Sequence, residues 1–112
     1  MYTTITIVLR ADNEVDPVFI EKKFDNISPA PHLKEGSEIF ITVNNKEEYL
    51  CRVSFMSWQL PANEINILVR PSFILRDLSD LKIKTLYFMS NGWKICTCNT
   101  SKKVIDYIEA KK

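Results

Sequence analysis

The chain has 112 residues, 46% hydrophobic and 11% aromatic, with a formal net charge of +1; this suits one folded domain, expected to span 1–112, and excludes a disordered segment. No apolar run approaches the ~18 residues of a membrane-spanning helix. Two glycines, Gly36 and Gly92, are too few for a Gly-rich phosphate loop or a dinucleotide-binding turn. Three cysteines, an odd number at low density, fit reduced thiols better than a disulfide framework. Met1-Tyr2-Thr3-Thr4-Ile5 lacks the basic and apolar regions of a signal peptide, so the expected location is cytoplasmic. Charge is uneven along the chain. Residues 1–48 carry nine carboxylates against five cations, a net −4, and residues 49–112 carry ten cations against five carboxylates, a net +5.

Tyr2 to Arg10 alternates, with Ile5, Ile7 and Leu9 on one face, and reads as a strand. Asp16-Pro17 has the chemistry of a helix start, Asp as N-cap and Pro at the first helical position. Val15, Phe19, Ile20 and Phe24 follow at helical spacing, which predicts a short helix. Ser28-Pro29-Ala30-Pro31 is a stiff loop. Leu33–Ser37 turns the chain into a strand over Glu38–Val43, followed by a second over Tyr49–Trp58. A two-residue turn at Asn45-Lys46 would set Ile41 opposite Leu50. A three- or five-residue loop sets Val43 opposite Tyr49, Ile41 opposite Cys51 and Ile39 opposite Val53. The longer loop gathers one apolar face and is preferred. Phe40, Thr42, Leu50, Arg52, Ser54, Met56 and Trp58 then share the other face, which is itself largely apolar.

Glu64–Arg70 is a strand with Ile65, Ile67 and Val69 inward, closed by Pro71. Leu81–Ser90, Asn91-Gly92 and Trp93–Cys98 read as a hairpin on a type I′ turn. In that register Ser90 faces Trp93, Phe88 faces Ile95 and Leu86 faces Thr97; on the other face Met89 meets Lys94, Tyr87 meets Cys96 and Thr85 meets Cys98. Ser101 closes an N-cap run before a helical stripe of Val104, Ile105 and Ile108. The expected architecture is α+β: a mostly antiparallel, curved or partly closed sheet of about six strands, with a short helix after strand 1 and a C-terminal helix.

Chemistry-bearing residues are sparse. Cys96 and Cys98 could join Cys51 and His32 around a metal, but they lie in a strand and not on the tight knuckles of zinc sites. A Cys–His nucleophile needs an imidazole within reach of a thiol, and the single His32 sits in a Pro-flanked loop. Asp12, Glu14 and Asp16 read as a solvated loop with a helix cap. No catalytic residue, metal or cofactor is expected. The leading expectation is a non-enzymatic binding module for a protein partner or a second copy of itself, with Phe40, Arg52, Met56 and Trp58 on an uncovered sheet face. Trp93, opposite the small Ser90, and its neighbour Lys94 are expected to act outside the fold. The alternative is a small barrel-like domain for single-stranded nucleic acid, with bases stacked on Trp93, Tyr87 or Trp58 beside Lys94, Lys84 or Arg52. One contiguous groove holding Arg52, Arg70, Lys82, Lys84 and Lys94 would favour nucleic acid. A flat apolar patch rimmed by charge would favour protein.

Overall fold

A computed structural model describes residues 2–12, 16–25, 33–44, 47–59 and 64–110. Within them lie β1 (Tyr2–Leu9), β2 (Val18–Asp25), β3 (Glu38–Asn44), β4 (Glu47–Gln59), β5 (Glu64–Pro71), α1 (Leu78–Met89), β6 (Lys94–Ile95) and α2 (Lys102–Glu109). The strands form one sheet in the order β3-β4-β5-β1-β2-β6, curled into a half-barrel. The sheet is mixed: β1 runs parallel to β5 and every other pairing is antiparallel. The α+β class therefore stands, with a parallel pair at the centre of the sheet. No helix among the described residues is long and apolar enough to cross a membrane.

The helix expected after strand 1 is β2. Asp16-Pro17 does not start a helix; Val18 pairs with Leu9 and Ile20 with Ile7, and both are fully buried. The competing helical stripe used Phe19, which is only half-buried. A central β1 must satisfy backbone groups along both edges. β5 meets one edge and β2 the other, and this non-local demand overrides the local cap signal.

The hairpin expected over Leu81–Cys98 is not formed. Leu81–Met89 lies in α1, and the buried residues Leu81, Thr85 and Phe88 recur at helical spacing. Asp77 caps the helix by accepting from the Asp80 amide at 2.9 Å. Asn91-Gly92 ends it: the Ser90 amide donates to Leu86, and those of Asn91 and Trp93 to Phe88. Gly92 has φ of +93°, the left-handed geometry that glycine supplies past a helix C-terminus. An Asn-Gly pair that suits a type I′ turn suits a helix stop equally well. None of the Ser90–Trp93, Tyr87–Cys96 or Thr85–Cys98 pairings exists. β6 is a two-residue strand that pairs with β2 through Ile20–Ile95 and Glu21–Lys94.

The expected C-terminal helix is present as α2, with the Ser101 hydroxyl accepting from the Val104 amide and Val104 and Ile108 buried. In the β3–β4 pair, Asn44 lies opposite Glu47, so two residues separate the paired ends, and the register shifts between Thr42 and Asn44. Ile41 thus faces Tyr49 and Ile39 faces Cys51. The expected register was displaced by two residues, which preserves parity. Ile39, Ile41, Cys51 and Val53 still share the core face.

The core lies on the concave side, where Leu81 and Phe88 join Ile7, Leu9, Ile20, Val53 and Val69. The Thr85 hydroxyl is also buried there, and it makes no hydrogen bond among the described residues. Thr85→Val keeps the shape and removes an unsatisfied polar group. The expected gain is about 1 kcal/mol, read as a higher urea midpoint with unchanged m-value; an equal or lower midpoint would mean the hydroxyl finds a partner in solution.

Candidate binding surface

One residue decides which expected site residues meet. The β4–β5 register shifts between Val53 and Phe55, a bulge at Ser54. Beyond it the alternation of β4 is inverted. Phe55 pairs with Leu68, Met56 with Ile67 and Trp58 with Ile65. Cross-strand partners share a face, so Met56 and Trp58 join Ile65 and Ile67 on the concave side. Phe55 and Leu68 turn to the convex side, with Arg52 and Arg70. Phe40 lies opposite Leu50 on that same convex side.

The expected set Phe40, Arg52, Met56 and Trp58 is thereby split. Phe40 and Arg52 remain together on the convex face. Met56 is half-buried against the core, and Trp58, 61% exposed, stands on the concave face where β4 ends. In exchange the convex face gains Phe55, 53% exposed against 67% for Phe40. Half-buried Leu50 is the cross-strand partner of Phe40, and half-buried Leu68 that of Phe55. Arg52 and Arg70 are directly paired, and Arg52 meets Glu38 at 3.8 Å. The charged row Glu38–Arg52–Arg70 runs between the Phe40–Leu50 pair and the Phe55–Leu68 pair, so this face holds two apolar pairs divided by charge. Strict alternation could not find Phe55. The available hint was β5, whose clean inward row requires an inward row from the longer β4.

Trp93 is not at the surface. It is 3% exposed and packs edge-to-face on Phe88 and Phe24, with ring centroids 5.7 and 6.3 Å apart. The chain beyond a helix stop turns back onto the helix, whereas a hairpin would have carried Trp93 outward. Lys94 is exposed, in a convex recess of about 240 Å³ with Thr4, Glu21, Lys23, Glu64 and Asn66.

The five cations scatter. Arg52 and Arg70 are convex, and Lys94 lies across the sheet on β6. Lys82 donates to the Ala110 carbonyl at 2.9 Å and sits over Tyr107. Lys84 is enclosed by Tyr49, Phe73 and Tyr87, its ammonium 4.9, 5.0 and 5.9 Å from their ring centroids. It also donates to the Tyr49 hydroxyl at 3.3 Å, and Asn44 donates to the Tyr87 hydroxyl at 2.7 Å. These contacts fasten α1 to the β3–β4 end. The Tyr49 hydroxyl donates to Glu47 at 2.6 Å, which holds that carboxyl below its ordinary value. Burial, then the same bond, raises the Tyr49 phenol.

Cys51 is buried, and burial pushes its thiol up to about 11. Cys96 is half-buried and Cys98 exposed, both in the segment leading to α2. Among the described residues no three His, Cys, Asp or Glu side chains are grouped to hold a metal. His32 and Glu14 lie outside the described residues.

Fold and surface together define an α+β protein on a curled mixed sheet, with two exposed phenylalanines on its convex side. No protein-family model, curated protein or solved structure matches the chain.

Proposed function

We propose that this chain is a non-enzymatic binding module whose convex β3–β4 face takes a protein partner or a second copy of the chain. The observation that carries the reading is two aromatic rings on one face, Phe40 beside Leu50 and Phe55 beside Leu68, each more than half exposed, on either side of the Arg52–Arg70 row. Aromatic rings and arginines anchor interfaces because they bury large areas while keeping a polar or cationic edge. Large apolar side chains exposed together on one sheet face mark interaction sites on proteins in water. The non-enzymatic part rests on the sequence, whose single histidine leaves few nucleophile–base pairs. The scatter of Arg52, Arg70, Lys82, Lys84 and Lys94 favours protein over a nucleic-acid strand, which needs a continuous basic track.

The test is a double substitution, Phe40→Ser with Phe55→Ser, beside Trp58→Ala on the opposite face. Sedimentation velocity over a wide concentration range and capture from native lysate are run on each. The convex double variant is expected to stay folded and lose the wild-type assembly or captured partner, while Trp58→Ala keeps it. A folded double variant with unchanged mass and unchanged captured proteins would reject the reading.

A further inference from the structure

On the convex face β1 presents a small residue, Thr4, between longer side chains of both neighbouring strands. Asn66 of β5 and Lys23 of β2 are its direct cross-strand partners. Thr4, 9% exposed, is the floor of the recess of about 240 Å³. Glu64 and Asn66 form its β5 wall, and Glu21 and Lys23 of β2 with Lys94 of β6 form the other. Because β1 lies between β5 and β2, the walls stand about 10 Å apart at the backbone, two strand spacings. Every described lining residue is polar.

The charges around the recess are held in place but not paired. The Thr4 hydroxyl donates to Glu64 Oε1 at 2.7 Å. That bond holds the carboxylate at the floor and leaves it acceptor capacity, since a carboxylate has about four acceptor sites. The Lys23 ammonium lies 4.4 Å from the Tyr2 ring centroid. Glu21 and Lys94 are direct cross-strand partners, a placement in which opposite charges usually interact. Among the described residues, however, no ion pair joins them or any other charges of the recess. Glu21 is half-buried, so its carboxylate is partly withdrawn from water without an ion pair to replace it. Two carboxylates and two ammoniums thus face one small space.

That balance selects the ligand. A simple anion drawn to Lys23 and Lys94 also meets Glu21, which neighbours both, and a simple cation drawn to Glu21 and Glu64 meets the two ammoniums. A molecule carrying both charges satisfies both signs. We infer that the recess binds a small zwitterion of the class of free polar α-amino acids, its ammonium on Glu64 at the β5 wall and its carboxylate on Lys23 and Lys94 at the other. The volume is below the roughly 300–1,000 Å³ of pockets for drug-sized ligands, and polar walls suit a polar side chain. The Asn66 amide can both donate to and accept from a carboxamide, which makes L-glutamine the matching probe. Phe40, Leu50, Arg52, Phe55, Leu68 and Arg70 do not line the recess, so it is separate from the proposed interface.

Isothermal titration of the full chain compares L-glutamine with 4-carbamoylbutyrate, which lacks the ammonium, and with 4-aminobutyramide, which lacks the carboxylate. Glutamine is expected to bind saturably and at least tenfold tighter than either. Glu64→Gln, which keeps the size of the side chain, should weaken glutamine tenfold or more and leave 4-carbamoylbutyrate no weaker than in the wild type. Lys94→Met should weaken glutamine tenfold or more as well. The Phe40/Phe55 double variant should bind glutamine as the wild type does, so the recess and the interface are tested separately. No saturable glutamine binding, a preference over either analogue below tenfold, or less than a tenfold loss in folded Glu64→Gln would overturn the inference. Loss of glutamine binding in the folded double variant would overturn it too, because the ligand would then sit elsewhere. If neither Glu64→Gln nor Lys94→Met folds, the wild-type comparison with the two analogues decides.

Discussion

Phe88→Ala is expected to lower the unfolding free energy by about 3–5 kcal/mol, the usual cost of truncating a buried aromatic side chain. Phe88 is fully buried, and its ring meets Trp93 at 5.7 Å, Tyr49 at 5.6 Å and Tyr87 at 6.1 Å between centroids. It links the helix to both ends of the curled sheet, because Tyr49 lies on β4 and Trp93 leads into β6. Small domains unfold with about 5–15 kcal/mol in total, so the loss should be plain in a urea titration followed by circular dichroism. Leu86→Ala is the control. Leu86 is 42% exposed and should cost about 1 kcal/mol or less. A strand would put Leu86 and Phe88 on one face, whereas in a helix they lie about 200° apart. Equal losses at the two positions would therefore contradict α1 as a helix.

That contrast also shows where the sequence was legible. β1, β5 and α2 each declare themselves within their own residues, by alternation in Ile5–Leu9 and Ile65–Val69 and by the Ser101 cap before Val104 and Ile108. β2 and α1 do not. Val18–Phe24 supports a stripe of either period, and what decides it is the open edge of β1, a fact about other parts of the chain. In Leu81–Lys84 apolar and polar residues alternate by coincidence, since Ile83 is exposed in the helix. The Asp77–Asp80 cap pair and the Gly92 stop were the signals that resolve it. The candidate surface was half legible: Phe40 and Arg52 followed from alternation, and Phe55 did not. A bulge at a single serine carries no signature of its own, yet it exchanges every residue beyond it between the faces. Trp93 was misplaced for the same reason as α1, because its direction depends on whether Asn91-Gly92 closes a hairpin or a helix.

The second large effect is expected in alkali. Burial raises the Cys51 thiol from an ordinary 9.0 to about 11 in the folded protein. Below pH 9 the thiol is protonated in both folded and unfolded chains, and the stabilisation from burying it is fully present. Between pH 9 and 11 the unfolded chain releases the proton and the folded chain keeps it. Stability then falls by about 1.4 kcal/mol per pH unit, or roughly 2–3 kcal/mol across the window, and the loss is complete once pH passes the folded value. The Tyr49 phenol, also raised, acts in the same direction. Urea midpoints from pH 8 to 11 measure the total, and Cys51→Ala isolates the thiol. The variant should be somewhat less stable at pH 8, because Cys51 is 1% exposed and its sulfur fills core space beside Ile39 and Val53. It should also lose less stability than the native protein between pH 9 and 11, so that the two curves converge. Parallel curves over that range would show that the Cys51 thiol titrates alike in the folded and unfolded chains. The β4 face carrying Cys51 and Val53 would then not be the dry inner face of the half-barrel, and the inversion at Ser54 that separates Phe55 from Trp58 would lose its reference.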